Sequence, residues 1–285
     1  MKAYFDNKRL FADDLTLLGL AKLDNRFAKI DPNEYYLSYS GGKDSELVRR
    51  YIEYMKLPIK IVSLNTYREH NDIRRRMYKH ADIVLYPTKS FKWINENYGM
   101  PCFSKQQDEY IKRYQKGNRS PNTMKAINGG EGSKFQLNKK AKTLTLSNEL
   151  HKVSGECCKY TKKEPLRLYG KKNKLKAIIC VRGDESIMRK AKYTTCLSVD
   201  GTFTPIHDFP KEIVDALNKF FEIKNPKVYD VINRTGCIGC PYGKRNTERE
   251  LFICTPSQRA FAIKSFKKSY DVLGVDYLNE QTTLF

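Results

Sequence analysis

Residues 35–52 restrict the fold more than any other stretch of the chain. Tyr35-Tyr36-Leu37-Ser38-Tyr39 is a β-prone run, Ser40-Gly41-Gly42 is a turn, and Glu46-Leu47-Val48-Arg49-Arg50-Tyr51-Ile52 spaces its apolar residues helically. Strand, tight loop and helix in that order make an anion site. Two adjacent glycines let the backbone approach an anion closely, amides at the helix N-terminus point at it, and Lys43 and Ser45 add donors. The expected ligand is a phosphate or sulfate. The spacing differs from the Gly-x-x-x-x-Gly-Lys-Ser/Thr loop of the common NTPases.

The pattern repeats downstream. Pro58–Leu64 reads as a second strand ending in Asn65-Thr66, and Asp82–Tyr86 as a third after a basic helical stretch over 69–80. Leu175–Val181 reads as a later strand feeding Arg182-Gly183-Asp184-Glu185-Ser186 and then a helix with Arg189. Another extended run ends at Pro205-Ile206, before a helix whose apolar face is Ile213, Leu217, Phe220 and Phe221. Alternation at this spacing predicts an α/β fold, a doubly wound, mostly parallel sheet whose ligands sit beyond the carboxyl ends of its strands. Arg182 and Arg189 are then placed to meet phosphate or sulfate oxygens bidentately.

Around this sheet, residues 1–30 predict an N-terminal helical segment, 31–240 the nucleotide-binding α/β domain, and 241–285 a helical C-terminal tail. A basic helical insertion over about 105–150 interrupts the domain. It is rich in Lys and Asn, lacks a long apolar face, and reads as a surface-exposed, partly mobile lobe. Lys112, Arg113, Lys116 and Arg119 there suit nucleic-acid phosphates, and Tyr110 or Tyr114 suit base stacking, although a solvated loop accounts for them equally. Among 285 residues, 53 Lys and Arg stand against 32 Asp and Glu, a formal net charge of +21 that favours polyanionic partners. No apolar run is long enough to span a membrane and the start lacks a leader's apolar segment, so a cytoplasmic protein is expected, as an oligomer or not.

Eight cysteines in a reducing compartment point to metal ligands, redox thiols or buried apolar groups rather than disulfides. Cys157 and Cys158 are adjacent, and Cys237-Ile238-Gly239-Cys240 is a Cys-x-x-Cys. Brought together, four thiolates suit either an iron–sulfur cluster or tetrahedral zinc. Cys102, Cys180, Cys196 and Cys254 default to structural roles, Cys180 within a strand.

Ser40-Gly41-Gly42-Lys43-Asp44-Ser45 resembles the PP-loop of the adenine nucleotide α-hydrolases, which bind ATP or an adenylyl compound and act at its α-phosphate. The wider pattern, from about Tyr35 to Tyr270, resembles the phosphoadenosine phosphosulfate (PAPS) reductase family, including its adenylyl-sulfate (APS) reductase branch. The residues that carry it are the loop, Leu64-Asn65-Thr66, Cys157-Cys158 with Lys162-Lys163-Glu164-Pro165-Leu166, Val181 to Ser186 with Arg189, Asn225 to Asp230, and Gly236 to Pro241. The resemblance implies a [4Fe-4S] cluster on Cys157, Cys158, Cys237 and Cys240, with zinc as the alternative. It implies a nucleotide, ATP or APS/PAPS, on Ser40, Gly41, Gly42, Lys43, Asp44, Ser45, Asn65, Thr66, Arg182, Glu185 and Ser186. Lys43, Asp44, Arg182 and Arg189 would do the chemistry, Asp44 by holding Mg²⁺ or orienting the loop.

Two departures bear on the reaction. Family members that reduce a sulfonucleotide carry a nucleophilic cysteine in a Glu-Cys-Gly tail, whereas Asp276–Phe285 has none; Asn65-Thr66-Tyr67 also stands where reductases have Asp-Thr-Gly. The first expectation is therefore an adenylating sulfurtransferase that thiolates a nucleic acid such as tRNA or DNA, with sulfur passing through the cluster and supplied by a donor or reductant protein. The second is a sulfonucleotide reductase using Cys254 or a partner's thiol, and the third a non-catalytic nucleotide- and nucleic-acid-binding iron–sulfur protein.

Overall fold

The computed structural model describes residues 2–131, 133, 135–185, 187–233, 235–243 and 245–278. The chain forms two compact units, each assembled from separated stretches: Met1–Asn65, Asn71–Tyr86 and Pro165–Lys227 make the first, and Thr66–His70, Pro87–Glu164 and Val228–Phe285 the second.

The first unit is built on a sheet of four parallel strands. These are β1 (Tyr35–Tyr39), β2 (Lys60–Leu64), β3 (Ile83–Leu85) and β4 (Lys176–Ile178), in the order β3-β2-β1-β4. The register pairs Leu37 with Ile61 on one side and with Ile178 on the other, and Ser63 with Val84. A fully parallel sheet is stable only with both faces covered. Tyr35, Leu37 and Tyr39 turn one face toward α1 (Lys2–Leu10), α2 (Asp14–Phe27), α3 (Lys43–Met55) and α12 (Lys211–Phe220), sharing a core with Leu20, Leu23, Leu47, Val48, Ile213 and Leu217. Tyr36 alternates to the other face. Its hydroxyl donates to Leu166 O at 3.0 Å and its ring meets Tyr169, both on α10 (Glu164–Asn173). Helices on both faces make this the doubly wound α/β arrangement expected from the sequence.

The strands are shorter than their apolar runs suggest. Pro58 and Ile59 precede β2, and β4 ends at Ile178, ahead of Cys180, which packs partly buried against the core. The extended run before Pro205-Ile206 forms no strand among the described residues; Phe203 makes an isolated bridge to Ile178 instead. The basic stretch after β2 is helix α4 (Asn71–His80).

The second unit is helical among its described residues: α5 (Phe91–Tyr98), α6 (Lys105–Gln115), α7 (Pro121–Asn128), α8 (Lys139–Leu146), α9 (Glu156–Cys158), α13 (Arg245–Ile253) and α14 (Pro256–Leu273). The stretch expected as a lobe without an apolar face is α6 to α8. It closes over its own core of Cys102, Phe103, Ile111, Ile127, Leu137, Ala141, Leu150 and Val153. Short helices each supply only two or three apolar residues, so the face is assembled from several of them and no single run displays it. The tail helix α14 begins at a Thr255–Gln258 capping box with Pro256 in the first turn and ends at Gly274. No helix among the described residues is long and apolar enough to cross a membrane.

Leu37, fully buried at the centre of the sheet, should cost about 2–5 kcal/mol when replaced by alanine. Urea unfolding of Leu37→Ala followed by circular dichroism measures this, with the loss expected in the midpoint rather than the slope.

Candidate functional site

In the first unit the strand order reverses between β1 and β4, since β2 and β3 lie to one side of β1 and β4 to the other. A crevice opens at the carboxyl ends of two such strands, and ligands of open parallel sheets bind there. The loop 40–45 leaves β1 at this point and Arg182 follows β4. Gly41 adopts φ +71°, and a Cβ on it would lie 2.9 Å from Ile73 O and from the Met77 side chain, so glycine is required. Gly42 is the N-cap of α3 and offers no side chain, leaving the first-turn amides to whatever approaches. The turn is pinned from inside: Ser45 Oγ donates to Gly42 O (3.0 Å), lies 3.0 Å from Ser40 Oγ, and accepts from Ser40 N (3.3 Å).

Arg182 is buried, and its Nε sits 3.2 Å from Asp44 Oδ1 while Nη1 donates to Asp184 Oδ2 at 2.7 Å. Neither Arg182 Nε nor Asp44 Oδ1 has an aligned hydrogen bond, so the pair is held by charge. Burial pushes the Asp44 carboxyl up, against the pull of Arg182 and Lys43. The segment carrying Arg182 is anchored by Gly183 N donating to His207 O at 2.7 Å.

Of the other nucleotide candidates, Asn65 follows β2 at the same sheet edge, its amide donating to Tyr78 Oη at 2.8 Å. Thr66 belongs to the second unit, where its Oγ1 donates to Glu69 Oε1 at 2.5 Å. Arg189 lies on α11 (Ile187–Lys192). Ser186 and the side chain of Glu185 lie outside the described residues.

The second unit holds all four candidate ligand cysteines. Cys157 and Cys158 end α9, and the five residues that follow, Lys159–Lys163, form a π-helical turn in which Thr161 Oγ1 donates to Cys157 O at 2.6 Å. Such turns concentrate at functional sites. The Cys-x-x-Cys turn is clamped on several sides. Ile238 N donates to Arg68 O (2.8 Å), Gly239 N to Glu250 Oε2 (3.0 Å), Tyr270 Oη to Gly239 O, and Thr247 Oγ1 to Cys240 O (3.0 Å). Gly239 has φ +65°, and a Cβ there would come within 2.5 Å of Tyr270 Oη.

The thiols feel one another. A hydrogen bond from Cys157 lowers the Cys158 thiol to about 5, helped by the charges of Lys105, Lys162 and Lys163 against the cost of burial. The same bond, with burial and the neighbouring sulfurs of Cys240 and Cys237, pushes Cys157 up. Burial and then Cys237 and Cys158 raise Cys240. The Lys162 ammonium is held charged chiefly by Cys237. Among the described residues no group of three or more His, Cys, Asp or Glu side chains is set to hold a single metal ion.

Arg68 was invisible to sequence reasoning. Its guanidinium is buried, 3.5 Å from the Phe91 ring centroid, 4.6 Å from Phe261 and 4.9 Å from Phe266, with Nη2 donating to Ser265 Oγ at 2.7 Å. Nη1 is buried without a hydrogen-bond partner. Burial lowers its pKa, and the sulfurs of Cys237, Cys157 and Cys240 oppose that. A buried cation is costly unless compensating groups lie nearby, and the three cysteines are the groups that act on this one.

Two expectations for the basic insertion change. Lys112 is bound by Glu109 (2.7 Å) and Glu156 (2.8 Å), and Arg113 by Glu109 (3.0 Å). Tyr110 stacks on Phe135 at 5.3 Å, and Arg119 covers the Tyr114 ring at 3.6 Å. These cations and rings are engaged within the unit, so the stretch presents fewer groups to a nucleic acid than its composition implies.

No family model and no curated protein sequence significantly matches the chain. A solved structure of phosphoadenylyl-sulfate (PAPS) reductase from Candida auris, a phosphate complex, is similar to it with a TM-score of 0.40 and 12% sequence identity, the match covering 76% of this chain and 92% of that one.

Asp108 gives a test of the second unit's electrostatics. Fully buried, it accepts from Cys102 N, Phe103 N and Tyr242 Oη, and burial raises its carboxyl to about 6. Its folded pKa exceeds the unfolded value, so the stabilisation is present below pH 4 and is lost as pH rises through 6, about 3 kcal/mol in all. His151, lowered to about 4 by burial, has the opposite trend in this range. The stability difference between wild type and Asp108→Asn, measured by urea titration, isolates the first: it should shift against wild type from pH 4 to 6 and stay level above.

Proposed function

We propose that this protein binds ATP or an adenylyl nucleotide at Ser40–Ser45 and acts at its α-phosphate, as an adenylating sulfurtransferase of the PAPS reductase type. The observation that supports this most is the meeting of the glycine turn, the open N-terminus of α3 and the Asp44–Arg182 pair where the strand order reverses. Loop amides and Lys43 would take the phosphate oxygens. Arg182, already oriented by Asp44 and Asp184, and Lys43 would offset the negative charge that grows as an acceptor attacks the α-phosphorus and pyrophosphate leaves. Asp44 positions Arg182, and its buried Oδ1, which the arginine meets without an aligned hydrogen bond, has a lone pair to offer Mg²⁺.

A [4Fe-4S] cluster is part of this proposal, and Cys157, Cys158, Cys237 and Cys240 would hold it. What supports it is that all four donors are sulfur, that the Cys158 thiol is lowered by its bond from Cys157, and that the orphaned Arg68 Nη1 and the Lys162 ammonium are cations close to these sulfurs. When bound, such a cluster supplies iron with an affinity for soft sulfur ligands. Sulfonucleotide reduction at Cys254 fits less well. That thiol is buried, donates to Leu251 O at 3.3 Å, and is pushed up to about 11 by burial, a poor nucleophile. The acceptor proposed is a nucleic acid, in line with the net charge of +21.

Anaerobically purified protein should release pyrophosphate from ATP in the presence of tRNA or DNA, and Lys43→Ala should lower the rate about 100-fold. Sulfite from APS or PAPS with thioredoxin would favour the reductase instead, and nucleotide binding without turnover the non-catalytic reading. Iron analysis and visible absorbance test the cluster separately: Cys157→Ser and Cys240→Ser should lose iron and colour, whereas a colourless wild-type protein containing zinc would refute that assignment.

A further inference from the structure

A basic cleft lies in the first unit, away from the loop. Helix α3 begins at the carboxyl edge of the sheet, whereas α4 ends at His80, three residues before β3 starts, at the opposite edge. Between the middle of α3, the last turns of α4 and the segment after α12 is a cleft of about 350 Å³. Six cations line it, Arg49 and Arg50 from α3, Arg75, Arg76 and Lys79 from α4, and Lys224, against two carboxylates, Glu46, which binds Arg49, and Glu222, which binds Lys8 outside the cleft.

Some of this charge is spent internally. Arg49 is bound to Glu46 at 2.8 Å and to Glu53 at 3.1 Å, and Arg50 to Glu53 at 3.0 Å. Arg75 lies 3.6 Å from Asp72, on an exposed face where such a pair is weak. Arg76, Lys79 and Lys224 have no carboxylate within ion-pair distance among the described residues. Arg76 donates through Nη2 to Lys224 O, and its Nη1 is buried with no hydrogen-bond partner. A guanidinium N–H buried and unsatisfied costs free energy until an acceptor arrives. His80, also on the lining, is held down by burial and by the Arg49 charge, as expected in a positive local field.

We infer that this cleft holds phosphates of a nucleic-acid backbone, at a site separate from the nucleotide loop. The lining chemistry selects that ligand. Ile223 is its one aliphatic residue and it has no Phe, Tyr or Trp ring, so a base finds little to stack on beyond the His80 imidazole, while guanidinium and ammonium groups suit phosphate oxygens. Contact limited to phosphates makes binding sequence-independent and salt-sensitive. The inference adds a surface to the proposed nucleic-acid acceptor but rests on the cleft alone, and it stands even where no adenylation occurs.

The test is fluorescence anisotropy of the full chain with labelled single-stranded RNA and duplex DNA across a salt series. Lys79 and Lys224 are both exposed, so Lys79→Gln/Lys224→Gln should fold normally; Arg76→Gln is a further variant, and Lys171→Gln/Lys172→Gln, exposed on α10, is the charge-matched control. The double variant should bind at least about tenfold more weakly and show a log affinity against log salt slope shallower by about 2, the loss of two phosphate contacts. Arg76→Gln should weaken binding further, the control should match wild type, and Lys43→Ala should bind as wild type does. Equal slopes for the double variant and the control would overturn the inference, as would failure of wild type to bind either nucleic acid. Inorganic pyrophosphate at micromolar concentration displacing the nucleic acid would overturn it too, marking a small-anion site. Pyrophosphate release from ATP, measured on the same variants, reports on the loop independently.

Discussion

The Asp44–Arg182 pair is the contact on which the candidate nucleotide site depends. It joins the first turn of α3 to the segment leaving β4, two elements that the reversal of strand order places on either side of a crevice. A carboxylate this buried is unfavourable alone, and burial does raise its pKa; a guanidinium at 3.2 Å is what keeps the charge tolerable. The turn around it depends on the same economy of space. Gly41 passes so close to α4 that no side chain fits, and Ser45 closes the loop on itself.

The second unit solves a related problem with opposite signs. Here the charges are cations, buried Arg68 and half-buried Lys162, and the groups acting on them are chiefly sulfurs. Three phenylalanine rings cover Arg68 and remove its water, which makes the nearby thiols matter more than they would at a surface. Its carbonyl at the same time holds Ile238 N, inside the Cys-x-x-Cys turn. One residue thus supports the turn mechanically and electrically.

Much of this was legible in the residues, because local signals and the fold agree there. The Tyr35–Ser45 strand and turn, the following helix and three further strand positions follow from alternation, glycine placement and helical spacing. Strand ends were less so: the apolar runs of 58–64 and 175–181 extend past their ladders, which begin at Lys60 in β2 and end at Ile178 in β4, because apolar character marks burial and not pairing. Arg68 could not be found from sequence, since an arginine between Tyr67 and Glu69 reads as a surface residue until Phe91, Phe261 and Phe266 arrive from distant helices. The basic insertion misled for the converse reason. Glu109 and Glu156 neutralise Lys112 and Arg113 through pairings, one of them 44 residues away, that composition does not reveal.

Helix α3 serves two ends. Its first turn carries Lys43, Asp44 and Ser45, and one turn further on Glu46 and Arg49 lock to each other and to the Tyr39 hydroxyl, at 2.5 Å from Glu46, beside the basic cleft. A helix of 13 residues with an interior this packed moves as a body rather than turn by turn. Were the loop at its N-terminus and the cleft along its middle both occupied, any free-energy coupling between them would run along this one helix, and by linkage each occupant would alter the other's affinity by the same factor.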